Sequence, residues 1–238
     1  FLTALYFFII EMLDRTLRDR MRSERITKIP VMGCYPKEST MRYRRFNKTI
    51  GDMALRQLSK ALLPYFKNGQ QNVLNLLSTD GGNGKSHLAE ELENYWLSIG
   101  LQVRRLTYDE DFLADDSRYV MAKDIKDLCA DILPDEIAIV EYPNLDENSI
   151  STSLLNMGTV NLMVTRANRT WKDVDQKALK ELQSRLENKD TLFMYLTEAQ
   201  RYAVEEFVGQ LPPYSKFNNF VYRMSQMGLT AVENNKAK

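Results

Sequence analysis

Beyond position 72 the chain alternates short apolar runs with segments whose apolar residues recur at helical spacing. The continuous apolar run over residues 137–141 is typical of a buried parallel strand and predicts one there. Strands are also predicted over residues 73–77, 101–107, 160–165 and 191–196, although Arg104 and Arg105 are unusual in the second of these. The segments between and after them predict helices over residues 86–99, 119–132, 149–156, 173–186, 198–208 and 214–227. Thr197 and Gln200 match a capping box at the start of the helix over 198–208. This alternation predicts an α/β fold with a doubly wound, mostly parallel sheet.

The first residues follow a different pattern. Residues 1–13 are apolar on nearly every face, and closely spaced arginines come next: Arg15, Arg18, Arg20, Arg22 and Arg25. Arginines directly after an apolar helix are typical of the cytoplasmic flank of a membrane span. We therefore expect residues 1–13 to be the end of a transmembrane helix. The alternative is a buried or amphipathic helix of a soluble protein.

These patterns divide the chain into four regions. After the apolar start, residues 14–40 are predicted as a basic juxtamembrane linker, in which residues 29–36 form an extended segment closed by Pro30 and Pro36. An amphipathic helix over residues 41–66 begins the α/β domain, which we predict over residues 41–232. Residues 233–238 are predicted as a frayed tail.

A glycine-rich turn joins the strand over 73–77 to the helix over 86–99. It reads Gly81, Gly82, Asn83, Gly84, Lys85 and Ser86. Glycines let successive backbone N–H groups converge on phosphate oxygens, the lysine reaches the β- and γ-phosphates, and the serine hydroxyl ligates Mg²⁺. The full phosphate-loop pattern has a glycine at position 79, where this chain has Thr79. A strand-to-helix turn with an exposed lysine is the alternative.

Composition narrows the possible functions. The chain has 32 Lys and Arg and 32 Asp and Glu residues, so its net charge is zero and we expect no nucleic-acid partner. Cys34 and Cys129 lack partners at metal-ligand spacing, which favours a reducing compartment. His87, the single histidine, follows the glycine-rich turn. We include it among the candidate nucleotide-binding residues, although a partly exposed helix residue is the simpler interpretation.

Three segments in order resemble a known family: Glu11–Arg18 (EMLDRTLR), Val31–Pro36 (VMGCYP) and Ser78–Ser86 (STDGGNGKS). Together they resemble bacterial polysaccharide co-polymerases of the Wzz/GumC type with a fused tyrosine-autokinase (BY-kinase) domain. The resemblance implies a P-loop domain of the MinD/ParA type that uses ATP or ADP with Mg²⁺. It also implies a homo-oligomeric ring, anchored by its N-terminal helix on the cytoplasmic side of the bacterial inner membrane. A polysaccharide polymerase and export machinery would be its partners.

The resemblance also assigns roles to individual residues. Glu141 in the segment Glu141–Pro143 takes the place of the Walker B acid, and Asp109 takes the place of one of two acids that follow the second strand. These two residues become the candidate catalytic acids, and together with Ser86 they become the candidate Mg²⁺ ligands. Tyr214 and Tyr222 remain from the family's C-terminal tyrosine cluster as candidates for autophosphorylation.

Several family positions carry other residues. Thr107 stands in place of the other acid and Asp111 in place of an arginine, while the asparagine that reads adenine is absent. Of the oligomerisation motif, only Arg56 matches. We therefore hypothesise a pseudokinase-like nucleotide-binding or scaffold domain of a co-polymerase that controls the chain length or export of capsule or exopolysaccharide. The alternatives are an active tyrosine autokinase, a MinD/ParA-type ATPase, and an interaction domain that binds no nucleotide.

Overall fold

In the computed structural model, which describes residues 14–41, 43–113 and 115–214, six strands form one all-parallel sheet. The strands are β1 (Val31–Pro36), β2 (Asn72–Leu77), β3 (Val103–Thr107), β4 (Ile137–Glu141), β5 (Val160–Arg166) and β6 (Leu192–Ala199). Their order across the sheet is β1-β6-β5-β2-β4-β3. Since β2 lies between β4 and β5, all of its residues are buried, including the polar Asn72 and Asn75.

Helices cover both faces of this sheet, which confirms the predicted doubly wound α/β fold. In the described part of the chain they are α1 (Arg20–Thr27), α2 (Asn47–Leu62), α3 (Lys85–Ser98), α4 (Ser117–Val120), α5 (Ile125–Leu128), α6 (Thr152–Met157), α7 (Asp173–Arg185) and α8 (Arg201–Val208). Successive strand side chains point to opposite faces, so Leu74 joins the core formed with α2 and α3. Val73 joins the core on the other face, formed with α6, α7 and α8.

The segment predicted as a linker contributes a strand. Val31–Pro36 pairs in parallel with β6 and forms one edge of the sheet. Its first residues are buried, and α2 and α8 contact the strand. The two prolines at its ends are compatible with this position, because proline is tolerated at the start of a strand and on sheet edges.

Four predicted helices differ from the structure by three residues or more. The helix predicted over residues 41–66 spans Asn47–Leu62, and the helix predicted over 149–156 begins at Thr152. The helix expected over residues 119–132 is interrupted, because Asp116 and Asp124 each cap a separate four-residue helix. The helix expected from residue 198 begins at Arg201, since β6 extends to Ala199 and Gln200 is the N-cap residue. The predicted capping box at Thr197 is therefore wrong. The helices predicted over 86–99 and 173–186 agree with α3 and α7 within one residue.

Some predictions concern residues outside the described ranges. These are the end of a transmembrane helix over residues 1–13, most of the helix over 214–227, Tyr222 and the tail over 233–238. Within the described ranges, none of the helices has the length and apolar character needed to span a membrane.

Candidate functional site

The turn between β2 and α3 has the backbone conformation that its glycines predict. Gly82 and Gly84 have φ values of 70° and 81°, which L side chains rarely adopt. Gly84 is also the N-cap residue of α3, and a Cβ there would lie 3.5 Å from the Thr197 methyl group. Because Gly84 has no side chain to cap the helix, the N–H groups of the first turn remain available to an anion.

Asn83 holds this turn against the sheet. Its buried amide nitrogen donates to the Asp80 backbone oxygen at 2.8 Å and to the Asp80 Oδ1 at 2.6 Å. Its Oδ1 accepts from the backbone N–H of Arg166 at 3.3 Å, and its backbone oxygen accepts from the Thr197 hydroxyl at 2.7 Å. The sequence indicates Asn83 as a nucleotide-binding residue, whereas its side chain connects the turn to β5 and its backbone oxygen connects the turn to β6.

Lys85 lies over the end of β4. Its Nζ donates to the Tyr142 backbone oxygen at 2.5 Å and to the Asn144 Oδ1 at 3.2 Å. Burial lowers its pKa to about 8, and the nearby Glu141, Glu147 and Asp146 carboxylates act in the opposite direction. Lys85 therefore carries an ammonium group below that pH, held by neutral oxygens that a phosphate can replace.

Ser86 and Glu141 meet at the same place. The Ser86 hydroxyl donates to Glu141 Oε1 at 2.5 Å, while the buried Glu141 Oε2 has no hydrogen-bond partner among the described residues. A hydroxyl and a carboxylate with a spare oxygen are suitable Mg²⁺ ligands. In the described part of the chain no three His, Cys, Asp or Glu side chains cluster as a metal site. A Mg²⁺ ion here would therefore take its other ligands from phosphate and water, which is its usual mode of binding beside nucleotides.

The Asp109 carboxylate does not contact the Ser86–Glu141 pair. Asp109 is exposed in the turn after β3 and has a φ of 72°, and its backbone N–H bonds the Phe112 oxygen at 2.9 Å. Among the described contacts, no hydrogen bond or ion pair joins its carboxylate to Lys85, Ser86 or Glu141. In the pairing of β3 with β4, the residue directly beside Glu141 is Thr107, whose side chain carries no carboxyl group.

Two adjoining cavities open beside the glycine-rich turn. The nearer one has a volume of about 350 Å³, and its lining includes Gly82, Gly84, His87, Arg166, Thr197 and Glu198. The other has a volume of about 500 Å³ and also contacts His87. The exposed His87 ring makes an edge contact with Tyr35, with 5.3 Å between centroids. His87 therefore lies on a cavity wall rather than at the Ser86–Glu141 pair.

Sequence reasoning missed several residues at the site. Asn144 accepts a hydrogen bond from Lys85, and Arg169 bonds Thr79 and Asp80 in the glycine-rich turn. Each of these two residues lies a few positions after a predicted strand, and that position is the signal that could have identified it.

Gly81 is exposed in the turn, and a Cβ there would lie 3.6 Å from the Asn144 amide. Of the candidate tyrosines, Tyr214 is 64% exposed.

No known family model matches the sequence, and no curated protein matches it significantly. The fold, in contrast, is similar to solved structures. The kinase domain of Escherichia coli tyrosine kinase ETK aligns with a TM-score of 0.54 at 10% identity, covering 84% of this chain and 97% of that domain. The chimerical protein CapA2B2 aligns with a TM-score of 0.51 at 14% identity, covering 76% of this chain and 100% of that one. The chain therefore has the fold of a bacterial tyrosine kinase domain.

Proposed function

We propose that this chain binds Mg·ATP or Mg·ADP as a kinase-like domain with little or no phosphoryl-transfer activity. The observation that carries the proposal is the Ser86–Glu141 pair, in which the buried Oε2 of Glu141 has no partner among the described residues. A cation at that oxygen would remove the cost of an unpaired buried acceptor. Lys85 adds a positive charge at the adjacent position in the chain.

Different residues of the site would bind the phosphates and the metal ion of the nucleotide. The left-handed Gly82 and Gly84 allow the backbone to approach phosphates closely, and the N-terminus of α3 favours negative charge there. Lys85 would exchange its bonds to the Tyr142 and Asn144 oxygens for phosphate oxygens. Ser86 and Glu141 would hold Mg²⁺, which neutralises phosphate charge when bound.

Phosphoryl transfer itself depends on positioned charge around the transferred group. Thr107 occupies the position beside Glu141 at the end of β3, and the Asp109 carboxylate makes no contact with the described site residues. The site thus supplies one carboxylate where the resemblance implies more than one. This difference favours nucleotide binding over rapid catalysis.

We further propose that the domain works in the synthesis or export of capsule or exopolysaccharide. It would be the cytoplasmic domain of an inner-membrane chain-length determinant of the Wzz/GumC type. In that role it would be anchored through residues 1–13, assembled as a ring of identical chains, and associated with a polymerase and export machinery. The support is the order of the three family-like segments, together with the likeness of the fold to a tyrosine kinase domain.

Isothermal titration calorimetry of the full chain with Mg·ATP tests the binding proposal. We expect saturable binding that Lys85→Ala weakens by roughly 10- to 100-fold, the value of a charge-assisted hydrogen bond. Lys180→Ala, which removes an exposed lysine of α7, is the matched control and should bind like the natural chain. If heat of binding is absent up to millimolar ATP, or if both variants bind alike, the proposal is overturned.

Active autophosphorylation is the second candidate, and exposed Tyr214 together with the retained Glu141 favours it. Mass spectrometry after incubation with Mg·ATP distinguishes the two candidates. We expect no phosphate on Tyr214 or Tyr222. Phosphate on either residue that disappears in Lys85→Ala would identify a kinase.

A further inference from the structure

Arg169 reaches from the turn after β5 into the glycine-rich turn. Its Nη1 donates to the Thr79 hydroxyl at 2.8 Å and lies 2.8 Å from Asp80 Oδ1. Its Nη2 lies 2.6 Å from Asp175 Oδ1. The Arg169 side chain is only 10% exposed, so these contacts are made largely out of water. Arg169 therefore joins the beginning of the turn to the N-terminal end of α7.

The charge of Asp80 explains why this contact matters for a phosphate ligand. Asp80 belongs to the same short turn as Gly82 and Gly84, and its side chain is one third exposed. An unpaired carboxylate there would repel a polyphosphate, because like charges at short range raise the free energy of binding. Arg169 pairs with that carboxylate and so weakens its repulsion of a polyphosphate. It also fixes Thr79, the residue that stands in place of the first glycine of the phosphate-loop pattern.

Arg169 is itself held by two parts of the chain. The Asp175 side chain is 4% exposed. Its Oδ1 pairs with Arg169, and its Oδ2 accepts a hydrogen bond from the Lys172 N–H at 2.8 Å. On the other side, the Leu17 N–H donates to the Arg169 backbone oxygen at 3.1 Å, and Leu17 is fully buried.

The segment around Leu17 is attached over more than one residue. The Trp171 N–H donates to the Arg15 backbone oxygen at 2.9 Å, and Thr16 forms an antiparallel bridge with Thr170. The Arg15 guanidinium lies 2.5 Å from Asp173. Residues 15–17 thus attach to the turn that carries Arg169 through two backbone hydrogen bonds and an isolated antiparallel bridge. A continuous set of contacts then runs from residues 15–17, through Arg169, to Thr79 and Asp80.

We propose that Arg169 is a positioning residue of the nucleotide site. It pairs with the Asp80 carboxylate, holds Thr79 in place, and couples the phosphate-binding turn to residues 15–17. This inference rests on the proposed function, since it assumes that the turn receives phosphates. Arg169 acts through Thr79 and Asp80, both of which it contacts directly.

A double-mutant cycle tests the electrostatic part of the proposal. We expect Arg169→Met to weaken Mg·ATP binding on the order of tenfold, because the Asp80 carboxylate then loses the cation that it pairs with. Asp80→Asn should bind at least as tightly as the natural chain. The double variant Arg169→Met with Asp80→Asn should recover most of the lost affinity. A purely structural role predicts a double variant as weak as Arg169→Met, and that result would overturn the proposal.

Arg105→Met is the matched control. Arg105 lies on β3, the edge strand at the opposite end of the sheet from β1. It pairs with Glu93 at 2.9 Å and, like Arg169, is partly buried. Its loss should lower the melting temperature without changing the affinity for Mg·ATP. Arg169→Lys serves as a second variant, since it keeps the charge and loses the two-pronged geometry. We expect its affinity to lie between those of the natural chain and Arg169→Met.

Hydrogen exchange of the nucleotide-free chain tests the coupling independently of ATP. Amides over residues 78–86 should exchange faster in Arg169→Met and also in Leu17→Ala, and at the natural rate in Arg105→Met. Unchanged exchange in both Arg169→Met and Leu17→Ala would overturn the coupling. If the natural chain fails to bind ATP while these exchange rates rise as expected, the proposed function fails and the positioning of the turn by Arg169 stands.

Discussion

The Ser86 hydroxyl donates a hydrogen bond of 2.5 Å to Glu141 Oε1, although the two residues are 55 positions apart in the chain. They meet because β2 and β4 are parallel neighbours, with Leu76 opposite Glu141 in the register. Residues that follow the carboxyl ends of neighbouring parallel strands share one edge of the sheet, where α/β proteins bind ligands. The pair therefore marks the edge at which the predictions below apply.

Replacement of Glu141 by Gln should remove the Mg²⁺ dependence of ATP binding. The amide keeps the size of the side chain and loses the charge that favours a hard divalent cation. Calorimetric titrations with ATP in Mg²⁺ and in EDTA provide the measurement. Glu181→Gln, an exposed change on α7, is the control and should keep the natural difference between the two conditions. A Glu141→Gln chain that still needs Mg²⁺ would contradict a metal-binding role.

Replacement of Asp109 by Asn should leave Mg·ATP affinity unchanged. The Asp109 carboxylate is exposed and makes no described contact with Ser86 or Glu141. The same calorimetric experiment measures this, and Glu141→Gln provides the contrasting result. A clear loss of affinity in Asp109→Asn would mean that the turn after β3 closes onto the bound nucleotide.

The affinity for Mg·ATP should fall as the pH rises through about 8, where Lys85 loses its proton in the free chain. Below that pH the ammonium is already present, so binding needs no proton. Above it, binding must take up a proton, because phosphates favour the charged form. Titrations about one unit above this pKa, in two buffers of different ionisation enthalpy, measure that uptake. Equal heats in the two buffers would contradict the prediction.

The same lowered pKa affects stability. Folding disfavours the charged form of Lys85, whose pKa falls from 10.5 to about 8. Burial of the charged lysine therefore lowers the free energy of unfolding by its full amount below pH 8. This reduction disappears as the pH rises toward 10.5, because the lysine is then neutral in the folded state. Lys85→Met should remove this contribution. Chemical unfolding of both chains across that range should show their stabilities converging as the pH rises, and a constant difference would contradict the assignment.

Gly84→Ala should reduce both stability and nucleotide affinity. Gly84 has a φ of 81° and lies at the start of α3 against Thr197, whereas Gly69 has a φ of 72° with no atom near its missing Cβ. Forcing alanine into this conformation costs about 1 kcal/mol of unfolding free energy. Gly69→Ala is thus a control with the same backbone strain outside the site. Urea unfolding and calorimetry should show a stability loss in both variants and an affinity loss in Gly84→Ala alone.

Removal of residues 1–40 should strongly destabilise the domain, because it deletes β1 together with the buried Val31, Met32 and Cys34. Removal of residues 1–13 alone leaves all of the described contacts intact and is the control. Thermal unfolding followed by circular dichroism compares the two. Equal melting temperatures would show that the edge strand contributes little to the fold.

Much of the architecture was predictable because it depends on local sequence. A continuous apolar run such as that of β4 identifies an interior parallel strand, since both of its faces are buried. Glycines that follow such a strand and precede a helix also mark the phosphate-binding turn. The interruption near Asp116 and Asp124 was missed because helical periodicity dominated the interpretation, although each aspartate favours the start of a new helix.

The α/β class, most of the strands and helices after residue 72 and the glycine-rich turn follow from the amino-acid sequence alone, because backbone preference and side-chain periodicity are local properties. The pairing of Val31–Pro36 with β6 and the separation of Asp109 from Glu141 are visible only in the folded chain. The same holds for the ion pair between Arg169 and Asp80. These relationships depend on contacts between distant parts of the chain, and such contacts follow from strand order and packing rather than from any local pattern.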